Sequence, residues 1–217
     1  MVRTGFEREL DLLKQDVIKI GRVTQDCVRL AVRSLEQQDL SLVEQVYQTE
    51  EVSDVLNLEV EERALRISAL QQPVARDLRF IASMMKISDN LERICDLAAK
   101  IADITKKTAE KPHLKALIDV PKMSEVITEV IDIVLEKIEA NVSVDENLLS
   151  AKDDIIDGLY KQAHDELIGI MIKDPKSIDD ATNLLFAARH LERMGDLAVK
   201  CGSRIIYMQE GRRVWIG

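Results

Sequence analysis

One ten-residue stretch occurs twice, one hundred positions apart: Leu91-Glu92-Arg93-Ile94-Cys95-Asp96-Leu97-Ala98-Ala99-Lys100 and Leu191-Glu192-Arg193-Met194-Gly195-Asp196-Leu197-Ala198-Val199-Lys200, alike at seven of ten positions. Repetition at constant register marks a chain built from a doubled unit. On a helix, four residues turn through about 400°, so Glu92 and Asp96 share a face one turn apart, as do Glu192 and Asp196.

Apolar periodicity predicts six helices. In the first, Leu10, Leu13, Val17, Ile20, Thr24, Cys27 and Ala31 step by threes and fours and form a narrow seam, ending near Gln38. Asp39 with Ser41-Leu42-Val43-Glu44 reads as an N-cap and capping box for a second helix reaching about Leu70. Pro73 breaks that helix and suits the start of a third, about Val74 to Thr108, with a seam of Phe80, Met84, Ile87, Leu91, Ile94, Ala98 and Ile101. After an interruption at Lys111-Pro112, Asp119-Val120-Pro121 opens a fourth helix carrying Val126, Val130, Ile133, Val134 and Ile138. Ser143-Val144-Asp145-Glu146 reads as the capping box of a fifth, and Pro175 and Ser177 separate it from a sixth. The sixth repeats the seam of the third with Leu184, Ala187, Leu191, Met194, Ala198 and Cys201. Three long helices twice over predict an all-α chain of two tandem three-helix bundles, 1–110 and 111–217.

Composition agrees. Eight Gly, four Pro and 3% aromatics among 217 residues are few for a protein of strands and tight hairpins. A net charge of −9 repels phosphate backbones and argues against general nucleic-acid binding. No apolar run approaches the ~20 residues that span a bilayer, and MVRTGFEREL lacks a signal-peptide core, so a cytoplasmic protein is expected. Cys27, Cys95 and Cys201 are widely spaced, which disfavours a disulfide framework or thiolate metal site.

The seam places Glu92 and Asp96, and Glu192 and Asp196, on the side away from the core. Acids there are ordinarily solvated decoration. The second helix of each half adds a matching pair: Glu50 and Asp54, then Asp153 and Asp157. Chain reversal at Pro73 and Pro175 brings the pairs of each half to similar heights. Four convergent carboxylates repel, at about 1 kcal/mol per pair at 4 Å even in water. Protons at raised pKa or a captured hard cation relieve this, and the spacing leaves both open. Asn57, Glu61 and His164 continue the acid stripes and are further ligand candidates, with Tyr160 beside His164. Arg93 and Arg193 directly follow the motif glutamates and are candidate braces for the carboxylates.

At Leu-Glu-Arg-Ile-Cys-Asp and Leu-Glu-Arg-Met-Gly-Asp the chain resembles the PhoU family, regulators of phosphate uptake. The resemblance spans essentially the whole chain. It includes Gln72-Pro73-Val74-Ala75-Arg76-Asp77-Leu78-Arg79 and Leu185-Phe186-Ala187-Ala188-Arg189-His190-Leu191-Glu192-Arg193. It implies two three-helix bundles and multinuclear metal clusters on (Glu or Asp)-x-x-x-Asp pairs. The matching positions are Glu50, Asp54, Glu92 and Asp96, then Asp153, Asp157, Glu192 and Asp196. Iron is the first metal implied, with Mn, Mg, Ca or Zn as alternatives. The implied partners are the ATPase of the phosphate ABC transporter and the phosphate-response sensor histidine kinase, with a homodimer as the implied assembly. The expected function is negative regulation of phosphate uptake and starvation signalling, with membrane association only through partners. Leu97 and Leu197 stand where many family members have His, and Cys95 replaces a common Gly.

Two other readings remain. A carboxylate-bridged metalloenzyme of the di-iron type needs Glu-x-x-His motifs. The one instance, Glu110 to His113, contains Pro112, and no nucleophile–base pair accompanies it. A metal-free helical scaffold is the other. A non-enzymatic regulator is the expectation.

Overall fold

The computed structural model describes residues 2–114 and 117–216. It contains α1 (Val2–Gln37), α2 (Leu40–Gln71), α3 (Ala75–Thr108), α4 (Asp119–Ala140), α5 (Glu146–Lys173) and α6 (Ile178–Glu210), with a 3-10 turn at Pro175–Ser177. The fold is all-α, two tandem three-helix bundles, as the doubled sequence predicts. The seam residues of α1 from Leu13 to Ala31 and of α6 from Leu184 to Cys201 are all buried. A side chain such as Leu91 or Ile94, fully withdrawn from water, contributes about 1.5–3 kcal/mol before entropy is counted.

The helix ends refine the expected caps. Asp39 caps α2, its carboxylate accepting from the Ser41 amide at 2.8 Å, so Ser41 lies inside the helix and is not the cap. Asp145, not Ser143, caps α5, accepting from the Asn147 amide at 2.9 Å. Ser143 instead donates to Glu210 at the end of α6. In both boxes an Asp two residues away from the Ser wins, because its carboxylate reaches the N2 amide with a full charge at the positive helix end. Gln38 sits at φ 54 in the two-residue turn between α1 and α2. Its amide donates to the Thr108 and Lys111 carbonyls, tying that turn to the end of α3.

The bundles share one continuous apolar core. Within it α3 packs on α6 and α1 on α4, while among the α-helices of the described residues α2 touches only α1 and α3, and α5 only α4 and α6. Thus α2 and α5 are the outer helices of a pseudo-twofold arrangement. This crossing explains why the buried face of α4 is wider than the predicted seam: Ile127, Ile131 and Leu135 are also buried, while Val126 and Ile133 are only partly covered. Leu135 faces Gly21 of α1, where a Cβ would lie 2.5 Å from it. Gln25 donates across the same junction to the Thr128 carbonyl at 2.9 Å, and Arg22 pairs with Asp132 at 2.6 Å.

Candidate metal centres

The acids on α3 and α6 do not lie on an outer face as the seam implied. Because α3 is packed by α1, α2 and α6, only a narrow strip reaches water, and Glu92 and Asp96 sit half-buried in the groove against α2. There they meet the pair from α2. Glu50, Asp54 and Asp96 bring carboxylate oxygens within 4.8 Å of one another. The field of this cluster acts on its members. Burial raises Glu92 to about 7, with Asp96, Asp54 and Asp89 adding to the shift and Arg93 opposing it. Burial likewise raises Glu50, with the charges of Asp54 and Asp96 and a hydrogen bond shared with Asp96. Asp54 is raised by burial, then by Asp96 and Glu51.

The second half repeats the wiring with different neighbours. Asp153, buried on α5, rises to about 6 through burial and the charges of Asp157 and Asp196. Glu192 is raised by burial and by Asp196 and Asp157, against the opposing pull of Arg189. The middle acids of each half, Asp54 with Asp96 and Asp157 with Asp196, thus act on both flanking ones. The second set is looser, since among the described residues no three of its acids converge within 4.8 Å. Cations intervene: Arg189 pairs with Glu192 at 2.6 Å, and Lys200 with Asp196 at 3.8 Å. Glu192 still has a buried Oε2 without a hydrogen-bond partner. A buried carboxylate oxygen left bare is costly, and a proton or a cation would satisfy it.

The local packing that sets these grooves differs between halves. In the first, Cys95 of α3 lies against Ser53 of α2, both buried. In the second, the positions one hundred and one hundred and three residues on are Gly195 and Ile156, and a Cβ on Gly195 would lie 2.6 Å from the Ile156 Cδ1. The larger residue moves from one helix to the other, so the inter-helix space stays filled. Each member directly precedes a cluster acid: Ser53 before Asp54, Cys95 before Asp96, Ile156 before Asp157 and Gly195 before Asp196.

The additional candidates lie elsewhere. Asn57 accepts from the Ser88 hydroxyl at 2.7 Å and, with Glu61, lines a separate hollow further along the α2–α3 groove. His164 bonds its neighbour Asp165 at 3.0 Å and stacks obliquely on Tyr160, whose ring lies 5.6 Å from Arg189. It belongs to the surroundings of Arg189 and not to the acid cluster. Arg93 and Arg193 do not brace the carboxylates: among the described residues neither forms an ion pair, and both line a cleft between α3 and α6. The helical rotation of 100° from each Glu turns the Arg toward the other bundle. Arg189, which does hold a cluster acid, was not among the sequence candidates. Extending the repeat three residues upstream reveals it, since Asp89 stands at the corresponding position in the first half.

Comparison with known proteins agrees with this architecture. The PhoU domain family model matches twice, over residues 17–105 and 120–205. A phosphate-specific transport system accessory protein PhoU homolog of Aquifex aeolicus is 36% identical, covering 95% of this chain and 94% of that protein. A homolog of Clostridium acetobutylicum is 30% identical over 99% of this chain and 98% of its own length. The crystal structure of PhoU from Pseudomonas aeruginosa superposes with a TM-score of 0.88 at 29% identity, covering 95% of this chain and all of that one. The phosphate transport system regulatory protein PhoU from Streptococcus pneumoniae gives 0.89 at 26% identity, covering 97% and 100%. The doubled helical unit, its paired acids and full-length similarity to these proteins have one common explanation: this chain belongs to the PhoU family.

Proposed function

We propose that this protein is a non-enzymatic regulator of phosphate transport whose two carboxylate clusters hold metal ions. The observation that carries the metal reading is the meeting of Glu50, Asp54 and Asp96, with Glu92 raised beside them. The orphaned Oε2 of Glu192 supports the same chemistry in the second half, where Asp153, Asp157 and Asp196 complete the donor set. All-oxygen anionic donors suit a hard cation; iron first, with Mn, Mg, Ca or Zn as alternatives, is what the family resemblance implies. A cation there would neutralise the repulsion and cross-link the outer helix of each bundle to its neighbour.

The regulatory reading rests on relatives named for the phosphate-specific transport system. The protein acts by docking to the transporter ATPase and to the phosphate-response sensor kinase, lowering uptake and signalling when phosphate is plentiful. It does so in the cytoplasm, as a homodimer. The outer face of α2 supports a docking role. Val55, Leu58 and Leu65 are all more than half exposed and form one stripe beside the first cluster. Among the described residues no helix is long and apolar enough to cross a membrane, and membrane contact through the transporter is part of the same proposal.

Elemental analysis tests the metal reading. Wild type carries bound metal, Glu92→Ala/Asp96→Ala loses the share held by the first cluster, and Glu192→Ala/Asp196→Ala loses that of the second. Unchanged stoichiometry in both variants excludes these acids as ligands. Co-purification at high and low phosphate tests the partners, and retention of neither ATPase nor kinase under either condition ends the regulatory reading.

A further inference from the structure

Between the two bundles, at the crossing of α3 and α6, lies a cleft of about 380 Å³. Its walls are Arg93, Asp96, Leu97 and Lys100 from α3 and the four residues one hundred positions further on, Arg193, Asp196, Leu197 and Lys200, from α6. Every lining residue therefore has its repeat equivalent across the pseudo-twofold axis. Neither bundle alone contains the site.

Its electrostatics run against the rest of the molecule. The chain has nine more acids than bases. Yet in this cleft four cations face two carboxylates, an excess of two positive charges. Of the four, only Lys200 has an ion pair among the described residues, a long one of 3.8 Å to Asp196. A second hollow continues from Arg93 and Lys200 and adds Lys86, Arg204 and Arg213 to the basic lining. Unpaired like charges brought together are unfavourable, and a bound anion removes the cost. Leu97 and Leu197 supply low-dielectric walls that strengthen the field inside.

We propose that this cleft binds one compact, doubly or more highly charged oxyanion of the phosphate type, clasped between Arg93 and Arg193 with Lys100 and Lys200 as flanking charges. Two guanidinium forks approaching from opposite bundles match the several acceptor oxygens of a tetrahedral anion, each fork able to donate two parallel hydrogen bonds. A cleft of about 380 Å³ has room for an inorganic oxyanion together with bound water. The inference does not rest on the metal reading, because none of the four cations is a proposed metal ligand, although Lys200 pairs with Asp196. The two sites are nevertheless neighbours, since Asp96 and Asp196 line the cleft as well as the acid groups.

Calorimetric titration of chelator-treated protein at low ionic strength tests this, with orthophosphate and pyrophosphate as probes. Saturable binding of one anion per chain is expected. Arg93→Gln/Arg193→Gln should weaken it at least tenfold with helicity and melting temperature unchanged, as the arginines are exposed. Arg93→Lys/Arg193→Lys should retain part of the affinity. Absence of saturable binding, or equal affinity in the Gln variant, overturns the proposal. Binding seen only after metal reloading and abolished by Glu50→Ala/Asp54→Ala places the anion on the metal and also overturns it. Capture only by phosphatidylcholine vesicles containing phosphatidylglycerol, with no binding of the free anions, rejects a soluble oxyanion as the ligand.

Discussion

In the first half of the molecule Glu50, Asp54 and Asp96 crowd within 4.8 Å, while among the described residues no three acids of the second half do, and there Arg189 and Lys200 pair with Glu192 and Asp196. The backbone plan is the same in both. One position sets the charge of the two sites apart. Three residues before the motif glutamate, the first half has Asp89, whose charge pushes Glu92 upward; the second has Arg189, which pulls Glu192 down and bonds it. A duplicated scaffold thus supports two sites of different charge, one strongly anionic and open, the other partly neutralised. On the reading proposed above, the first should hold a cation more tightly.

The sharpest way to break this comparison is to remove the centre of the tighter site. Asp54→Asn/Asp96→Asn should lower metal affinity of the first cluster by more than the ten- to about hundredfold typical of disturbing a ligand's outer partner. The second cluster should be unaffected, as a two-step metal titration would reveal. Next in size is the packing exchange between halves. Gly195→Cys pushes a side chain against Ile156 and should cost about 1–3 kcal/mol, read from chemical denaturation. Combining it with Ile156→Ser recreates the Cys95–Ser53 arrangement and should recover part of that loss. Strict additivity of the two changes would show that these residues are not a matched pair.

A smaller effect follows from exchanging the charge that distinguishes the sites. Arg189→Asp should strengthen metal binding in the second cluster by about fivefold, corresponding to about 1 kcal/mol for losing one partly exposed ion pair. Asp89→Arg should weaken the first by a similar factor. If neither moves either affinity, the difference between the clusters lies in backbone spacing alone.

The smallest effect is on pH dependence. In metal-free protein Glu92 titrates near 7 and Asp153 near 6, both above their ordinary values of 4.5 and 3.8. The folded state therefore binds more protons than the unfolded state between about pH 4 and 7, and stability declines as pH rises through that window. Solvent screening keeps the loss on the order of 1 kcal/mol, a few degrees in melting temperature. Added divalent cation should remove the decline above pH 6. Melting that is flat with pH, with and without cation, would show that the acids are separated and solvated in solution.

Much of this was legible in the chain itself. The hundred-residue repeat, the seam of α1 and the breaks at Pro73 and Pro175 fix six helices and their doubling, because helical burial has a period that local sequence displays. The pairing of Glu50 and Asp54 with Glu92 and Asp96 was also readable, from chain reversal at Pro73 and the similar heights it gives the two pairs. The outward placement of Glu92 and Asp96 was not. A single seam predicts one buried face, but α3 is covered from three sides, and those neighbours come from distant sequence. Asn57 and Glu61 continue the stripe along α2, yet Ser88 takes up Asn57, a partner that no periodicity shows.

Local sequence therefore determined helix number, order, internal duplication and the spacing of acids along each helix, all consequences of a fixed rise and turn per residue. Tertiary structure alone decided that the two bundles fuse through α3 and α6 into one core. It alone brought Arg93 and Arg193, one hundred positions apart, into the walls of one cleft. Which charges meet depends on how helices far apart in the chain rotate and cross, and that is settled by the packing of whole faces.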